Sequence, residues 1–85
     1  MRYQVFIERQ ALKSLAKIPN DDRSAIEQKI RDLAGDPRPA GVKKLSGRDA
    51  WRIRIGNYRV IYEINDRKLI VLVVVIGHRK DVYRD

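Results

Sequence analysis

Residues 51–64 read WRIRIGNYRVIYEI, a stretch in which apolar residues largely alternate with charged or polar ones. Alternation with a period of two is typical of strands that have one apolar and one polar face. Gly56 and Asn57 interrupt the pattern with residue types that favour a tight turn. The stretch therefore predicts a hairpin of two antiparallel strands, residues 51–55 and 58–64.

A third strand is expected downstream of this hairpin. Residues 69–76 form an uninterrupted apolar run rich in β-branched residues, which favours a buried strand over a helix. Together with the hairpin, this run predicts a three-stranded antiparallel meander. Such a run must be covered on both faces, and a layer of helices covers only one. We therefore expect a tail, a loop or another protein to shelter the second face.

Upstream of the hairpin, the sequence predicts a strand followed by two helices. Residues 2–7 are rich in aromatic and β-branched types and indicate a short strand. Apolar residues at helical spacing predict a first helix over residues 9–18, which Pro19 ends. Asn20 is expected as the N-cap of a second helix that ends at Gly35. The order strand, helix, helix, meander predicts an α+β fold of two layers.

The composition restricts both the class of protein and its chemistry. A chain of 85 residues has room for one domain, residues 1–85, with one modest core. It has no cysteine and one histidine, which excludes disulfides, thiol nucleophiles and a zinc ligand set, so we expect no metal and no cofactor. Its apolar runs are too short to span a membrane and its N-terminus lacks a signal-peptide pattern, so we expect a cytoplasmic protein.

The charge of the chain is the strongest indication of its partners. It has 19 Lys and Arg residues against 11 Asp and Glu, a net charge of +8, which favours a polyanionic partner. Nucleic acid and acidic protein are the leading candidates, followed by an anionic membrane surface; a basic protein without such a partner is the alternative. The positive charge is concentrated in residues 38–59, whereas acidic residues are frequent in residues 20–37.

The charged face of the hairpin is the first candidate site. Arg54 and Arg59 lie close to the turn on neighbouring strands, and Arg52 lies one pleat further along. If they share a face, three guanidinium groups converge within reach of one phosphodiester. Arginine suits phosphate because its planar fork binds two oxygens, and like charges held together are unfavourable unless an anion compensates them. The alternative is that these arginines serve solubility and protect a sheet edge.

The residues that follow the last strand are the second candidate. Gly77 permits a bend, after which Arg79 could join the same cationic site. His78 is a candidate general acid or base near neutral pH, and a surface histidine is the alternative. Tyr83 could stack on a base or orient a phosphate, or it could instead cover the exposed face of the sheet.

Three motifs follow one another along the chain: VKKLSG at 42–47, the hairpin stretch at 51–64 and VVVIGHRKDVYR at 73–84. Together with the order of the elements, they resemble the RelE family within the RelE/ParE toxin superfamily, over essentially the whole chain. The resemblance implies a microbial-ribonuclease-like fold and a toxin of a type II toxin–antitoxin system that cleaves mRNA in the ribosomal A site. It also implies a small, acidic and amphipathic RelB-like antitoxin, through which the complex is expected to bind operator DNA.

The resemblance implies a role for five residues: Arg52 and Arg54 before the turn, Arg59 after it, Arg79 after the last strand, and Tyr83. The best-studied type of member has lysines at the first two positions and a longer turn. A guanidinium stays protonated and is a poor general base, so we expect charge stabilisation at these two positions instead of proton abstraction. The ribose 2′-OH would attack the adjacent phosphorus while the arginines hold the phosphate oxygens.

The basic connector before the hairpin adds candidates for RNA binding, and His78 is a possible proton carrier. Because so few groups suit proton transfer, we expect the ribosome to position the message and little activity on free RNA. A ParE-like toxin that inhibits DNA gyrase without catalysis is the main alternative, and a non-toxic nucleic-acid-binding module is the next. The residues expected to bind RNA are Lys43, Lys44, Arg48 and Arg52.

Overall fold

The computed structural model describes residues 2–47 and 49–78, so that Arg48, Arg79 and Tyr83 lie outside the described residues. The α+β class is confirmed: within these described ranges, two helices pack on a five-stranded sheet. No helix in the described ranges is long and apolar enough to cross a membrane. In chain order the elements are β1 (Gln4–Ile7), α1 (Arg9–Ala16), α2 (Asn20–Asp32), β2 (Lys43–Lys44), β3 (Trp51–Ile55), β4 (Tyr58–Asn65) and β5 (Ile70–His78).

The sheet has the strand order β1-β5-β4-β3-β2. Strands β3, β4 and β5 form the predicted antiparallel meander. Strand β1 pairs in parallel with β5, and the two helices connect β1 to β2 at the opposite edge of the sheet. The β3–β4 connection is a two-residue turn in which Gly56 has a φ of 57°, a conformation that glycine adopts without strain.

The core lies between the helices and one face of the sheet, which we call the helical face. Alternate residues of each strand point to it, and the apolar stripes of α1 and α2 cover it. Tyr62 is fully buried there, and its hydroxyl donates a hydrogen bond to the carbonyl oxygen of Pro37. The buried core residues are Ala11, Leu15, Ile18, Ile26, Ile30, Leu33, Ile53, Val60, Tyr62, Val71, Val73 and Ile76.

A β-bulge interrupts the alternation of β5. Ile61 pairs with Val75 and Tyr62 pairs with Val73, which leaves Val74 as an extra residue on β5. Residues before and after the bulge therefore alternate out of phase with each other. This irregularity allows both Val73 and Ile76, three residues apart, to enter the core, and it accounts for an apolar run without simple alternation.

The second face of the sheet is buried at one end and open at the other. Near the hairpin turn, Ile61 and Arg59 are both buried. Near β1, Leu72 is half-buried and Phe6 is 50% exposed. The expected shelter of this face is therefore present around the central strand β4 and incomplete towards the edge strand β1.

Three details differ from the sequence-based expectations. Residues 43–44, expected within a loop, form the short edge strand β2, which pairs with β3. Helix α1 ends at Ala16, before the expected residue 18, because a proline disfavours helical geometry in the residue that precedes it. Pro19, and not Asn20, occupies the N-cap position of α2; Asn20 lies in the first turn and accepts a hydrogen bond from Arg23 instead.

Candidate active site

The hairpin register brings the predicted arginines together on the second face of the sheet. Arg54 pairs directly with Arg59, and Arg52 pairs with Ile61. On the outer side of β3, Lys43 pairs with Arg52. Because directly opposed residues share a face, these side chains leave the sheet on one side. We call Lys43, Arg52, Arg54 and Arg59 the cationic cluster.

The members of the cationic cluster differ in exposure. Arg54 is exposed and Arg52 is half-buried, whereas Arg59 is only 6% exposed. A strand arginine that contacts only phosphate is expected from the sequence to be exposed, and for Arg59 this expectation is wrong. Arg59 lies on β4, the central strand of the sheet, with β3 and β5 on either side. A charge held this deep is expensive to bury, which is typical of functional positions rather than of solubilising ones.

The geometry of this cluster suits a phosphodiester. Cα atoms of directly opposed residues lie roughly 4.5–5.5 Å apart, so the side chains of Arg54 and Arg59 can reach the same anion. Arginine presents several N–H donors in a flat fork, which matches the non-bridging oxygens of a phosphate. The cluster can therefore hold one phosphate from two strands at once, with Arg52 and Lys43 beside it.

The remaining candidate residues lie elsewhere on the sheet, at the end of β5, or outside the described residues. Lys44 pairs with Trp51, so it lies on the opposite side of the sheet from Lys43. Gly77 pairs with Arg59, which brings the end of β5 to the cluster. The candidates Arg48, Arg79 and Tyr83 lie outside the described residues.

His78 lies on the helical face and not in the cationic cluster. It pairs with Tyr58, and the two rings meet edge to face with their centroids 5.6 Å apart and their planes at 77°. The sheet therefore separates its imidazole from the side chains of Arg54 and Arg59. Within residues 2–47 and 49–78, no group of three His, Asp or Glu residues could hold a metal ion.

A network that sequence reasoning missed fixes the connector before β2. Arg38 donates two hydrogen bonds to Asp66, of 2.9 and 3.1 Å, and the hydroxyl of Tyr3 donates a third, of 2.6 Å. The hydrogen bonds from Arg38 and then Tyr3 lower the pKa of Asp66 to about 2. Arg38 also lies over the ring of Trp51, 5.1 Å from its centroid, in cation–π geometry.

The same connector is held at a second point by Tyr62. Its buried hydroxyl donates a hydrogen bond to the carbonyl oxygen of Pro37, with 2.8 Å between the two oxygens. Burial raises the pKa of Tyr62 to about 12. The two anchors, Pro37 and Arg38, lie on a segment that leads directly into β2. They therefore hold the chain that places Lys43 beside Arg52. No local pattern could have revealed this, because Arg38 and Asp66 are 28 residues apart.

Known proteins resemble this chain over nearly its whole length. The mRNA interferase toxin RelE of Escherichia coli strain K12 is 27% identical over all of this chain and 94% of its own length. Toxin RelG of Mycobacterium tuberculosis is 32% identical over 99% of both chains. The archaeal RelE of the RelE–RelB complex from Pyrococcus horikoshii superposes with a TM-score of 0.84 at 30% identity, covering 93% of this chain and 97% of that one.

A family model confirms the assignment that the three sequence motifs indicated. The family described as the ParE toxin of the type II toxin–antitoxin system parDE matches residues 5–83. The match covers most of the chain, including β3, β4 and β5 with their arginines. Taken with the RelE relatives, it shows that this chain belongs to the RelE family of the RelE/ParE superfamily of type II toxins.

Proposed function

We propose that this toxin is an endoribonuclease that cleaves mRNA in the ribosomal A site. The observation that carries the proposal is the direct pairing of Arg54 with Arg59 beside Arg52, on a face of the sheet that the core does not use. Three guanidinium groups on one surface form a site for a polyanion. A relative of nearly the same length, E. coli RelE, is named an mRNA interferase toxin, which supports RNA as that polyanion.

In the proposed reaction, the 2′ oxygen of a ribose attacks the neighbouring phosphorus. A new bond forms from this oxygen to phosphorus, the bond from phosphorus to the 5′ oxygen breaks, and the 2′-OH loses its proton as the 5′ oxygen gains one. The products are a 2′,3′-cyclic phosphate and a 5′-OH. Negative charge grows on the non-bridging oxygens, where Arg54 and Arg59 bind it more strongly than in the ground state.

The arginines of the cationic cluster stabilise charge but are unsuited to moving protons, since a guanidinium neither accepts nor releases one readily at neutral pH. His78 lies across the sheet from this cluster, which argues against it as the proton carrier. The proposal therefore assigns Arg52, Arg54 and Arg59 to the phosphate and gives the ribosome the task of holding the message in line for attack. On the strength of the family resemblance, it also includes Arg79 and Tyr83.

The proposed partner in the resting cell is a RelB-like antitoxin. Related toxins have been solved as RelE–RelB complexes, including those of P. horikoshii and E. coli. A net charge of +8 favours an acidic partner, and the exposed side chains of Phe6 and Leu12 offer apolar contacts to an amphipathic one. We further propose that the protein acts in the cytoplasm and that its complex binds operator DNA through the antitoxin.

A ParE-like inhibitor of DNA gyrase is the second candidate, and one observation favours it. The family model that matches residues 5–83 is described as a ParE toxin. An inhibitor of this kind would need a protein-binding surface and no phosphate chemistry. The paired arginines favour the ribonuclease, because inhibition alone gives no reason to hold Arg59 buried opposite another arginine.

Brief expression in cells separates the two candidates. Primer extension on abundant messages should show new 5′ ends phased with the reading frame within minutes of induction. Arg54→Ala should remove these ends, whereas Arg67→Ala, an exposed arginine on the β4–β5 turn, should retain them. DNA breaks that depend on gyrase, with intact messages, would instead establish the second candidate and overturn the first.

A further inference from the structure

A cleft that the proposed chemistry does not use lies on the helical face of the sheet. Its volume is about 400 Å³, within the range of roughly 300–1,000 Å³ that ligand pockets occupy. The aromatic residues Tyr58 and His78 form one wall, and the end of α1 with the start of α2 forms the other, through Lys17 and Pro19. The cleft therefore combines flat rings, one lysine and a proline.

The two rings present surfaces suited to a nucleobase. Tyr58 and His78 are cross-strand partners whose rings are set at 77° to each other, and both are half-buried. Because the two rings are half-buried, part of each ring remains accessible to a ligand, while their position on paired strands fixes their orientation. Nucleobases stack on such rings with little regard to sequence, because every base has a π face.

The position of the cleft relates it to the cationic cluster. Gly77 lines the cleft through its position at the end of β5, and it is also the direct partner of Arg59. His78 follows it by one residue, a step of roughly 3.3 Å along a strand. The two sites therefore meet at the same end of the sheet, one on each face. A nucleic acid strand bound by Arg54 and Arg59 needs only to pass this end to reach the cleft.

We propose that the cleft binds the nucleotide adjacent to the cleaved phosphate, with its base against Tyr58 and His78. Lys17, which is exposed at the C-terminal end of α1, supplies a positive charge for the next phosphate of the strand. The assignment rests on the proposed function and adds a second contact region to it. It gives Tyr58, His78 and Lys17 a role in positioning RNA and none in the chemical step.

The first test measures cleavage of a defined message on purified ribosomes, with kcat and KM determined separately. Tyr58→Leu removes the ring but keeps an apolar side chain, and we expect KM to rise about 5- to 150-fold, the effect of losing one stacked base. Tyr58→Phe should behave as the wild type. Ile7→Ala is the control for destabilisation, because Ile7 packs against the core on the same face and does not line the cleft.

A second variant avoids any question of folding, since Lys17 is exposed. Lys17→Ala should raise KM and lower the slope of log affinity against log salt by about one, as expected for one lost phosphate contact. Lys13→Ala is its control, an exposed lysine on the same helix that does not line the cleft. Equal salt slopes for the two variants would overturn the assignment of Lys17.

A readout independent of activity is photocrosslinking. The probe is a ribosome-bound message that carries 5-iodouridine next to the cut position and a 2′-O-methyl group on the ribose that would otherwise attack. It is irradiated in the presence of wild-type toxin. Mass spectrometry should place the crosslink at Tyr58 or His78. Crosslinks elsewhere only, or an unchanged KM for Tyr58→Leu, would overturn the cleft assignment. Should the wild-type protein fail to cut the message, or should Arg54→Ala still cut it, the proposed function itself would fail instead.

Discussion

Arg54 and Arg59 face each other directly across the β3–β4 hairpin, one exposed and the other buried. Like charges in directly opposed positions destabilise a sheet. A phosphate bound between the two guanidinium groups would relieve this repulsion. Such sites, where stability and function oppose each other, are common in active centres.

The first prediction follows from this opposition. Arg54→Glu turns the repulsive pair into an attractive one, so the variant should melt a few degrees higher than the wild type, at roughly 4–8 °C per kcal/mol for a domain of this size. It should also lose mRNA cleavage, because the carboxylate repels the phosphate. Thermal unfolding and primer extension check the two effects. A lower melting temperature would contradict the repulsion argument.

The second prediction separates charge from proton transfer at Arg52 and Arg54. Lysine at either position should retain much of the cleavage activity, whereas alanine should lower the rate by about 10²–10³, as for other lost transition-state donors. Cleavage rates on programmed ribosomes provide the measurement, and Arg67→Ala serves as a control on net charge. A pH–rate profile that changes shape in Arg54→Lys would show that this position takes part in proton transfer.

The third prediction concerns the buried hydroxyl of Tyr62. Tyr62→Phe leaves the carbonyl oxygen of Pro37 without this donor, which should lower the stability by about 1–3 kcal/mol. Denaturant unfolding measures the loss, and Tyr3→Phe, which removes an exposed hydrogen bond, should lose less. A stability equal to that of the wild type would mean that this hydrogen bond does not anchor the connector.

Alkaline pH gives a further check on Tyr62. Its pKa is raised from 10.0 to about 12 by burial, so the unfolded chain ionises before the folded one. The stability that comes from burying the neutral phenol of Tyr62 is therefore fully present below pH 10 and is lost as the pH rises towards 12. Tyr62→Phe should lack that part of the alkaline decline in melting temperature.

The fourth prediction concerns the acid side and the pair of Arg38 with Asp66. The pKa of Asp66 is lowered from 3.8 to about 2, first by the hydrogen bonds from Arg38 and then by that from Tyr3. Stability from this group is present above about pH 4 and is lost as the pH falls towards 2. The difference in melting temperature between wild type and Asp66→Asn should therefore be constant from about pH 5 upwards and should shrink below about pH 4. In an Arg38→Met background, the same substitution should have a smaller effect at every pH.

The hairpin and its arginines could be predicted because their information is local. A period of two and a two-residue turn fix the register, and the register fixes which residues oppose each other. The pairing of Arg54 with Arg59 follows directly from the position of Gly56 and Asn57. Burial of Arg59 could not be predicted in this way, because it depends on how the rest of the chain packs around β4.

The face on which His78 lies could not be predicted, and the cause is the bulge in β5. Val71 and Val73 point to the helical face, so regular alternation would place Gly77 there and His78 beside the arginines. The extra residue Val74 reverses this order. An apolar run of uniform character carries no mark of such an insertion, since every residue in it suits either face.

Strand β2 and the network of Arg38 with Asp66 could not be predicted from the sequence, for a different reason. Two lysines show no apolar alternation, and they form a strand only because β3 offers a free edge. The contacts of Arg38 with Asp66 and Trp51 join residues distant in sequence. These features depend on the assembled sheet, and only the three-dimensional structure reveals them.

The placement of the core and the cationic cluster on opposite faces of one sheet has a consequence for how a gene of this kind changes over generations. A single nucleotide change that replaces Arg52 or Arg54 with an uncharged residue would silence the proposed activity without altering any core side chain. We expect the silenced product to accumulate as a folded protein that still occupies antitoxin. Harmless copies would then act as decoys that release active toxin from inhibition, so loss of toxicity in one gene would raise the effective dose from another.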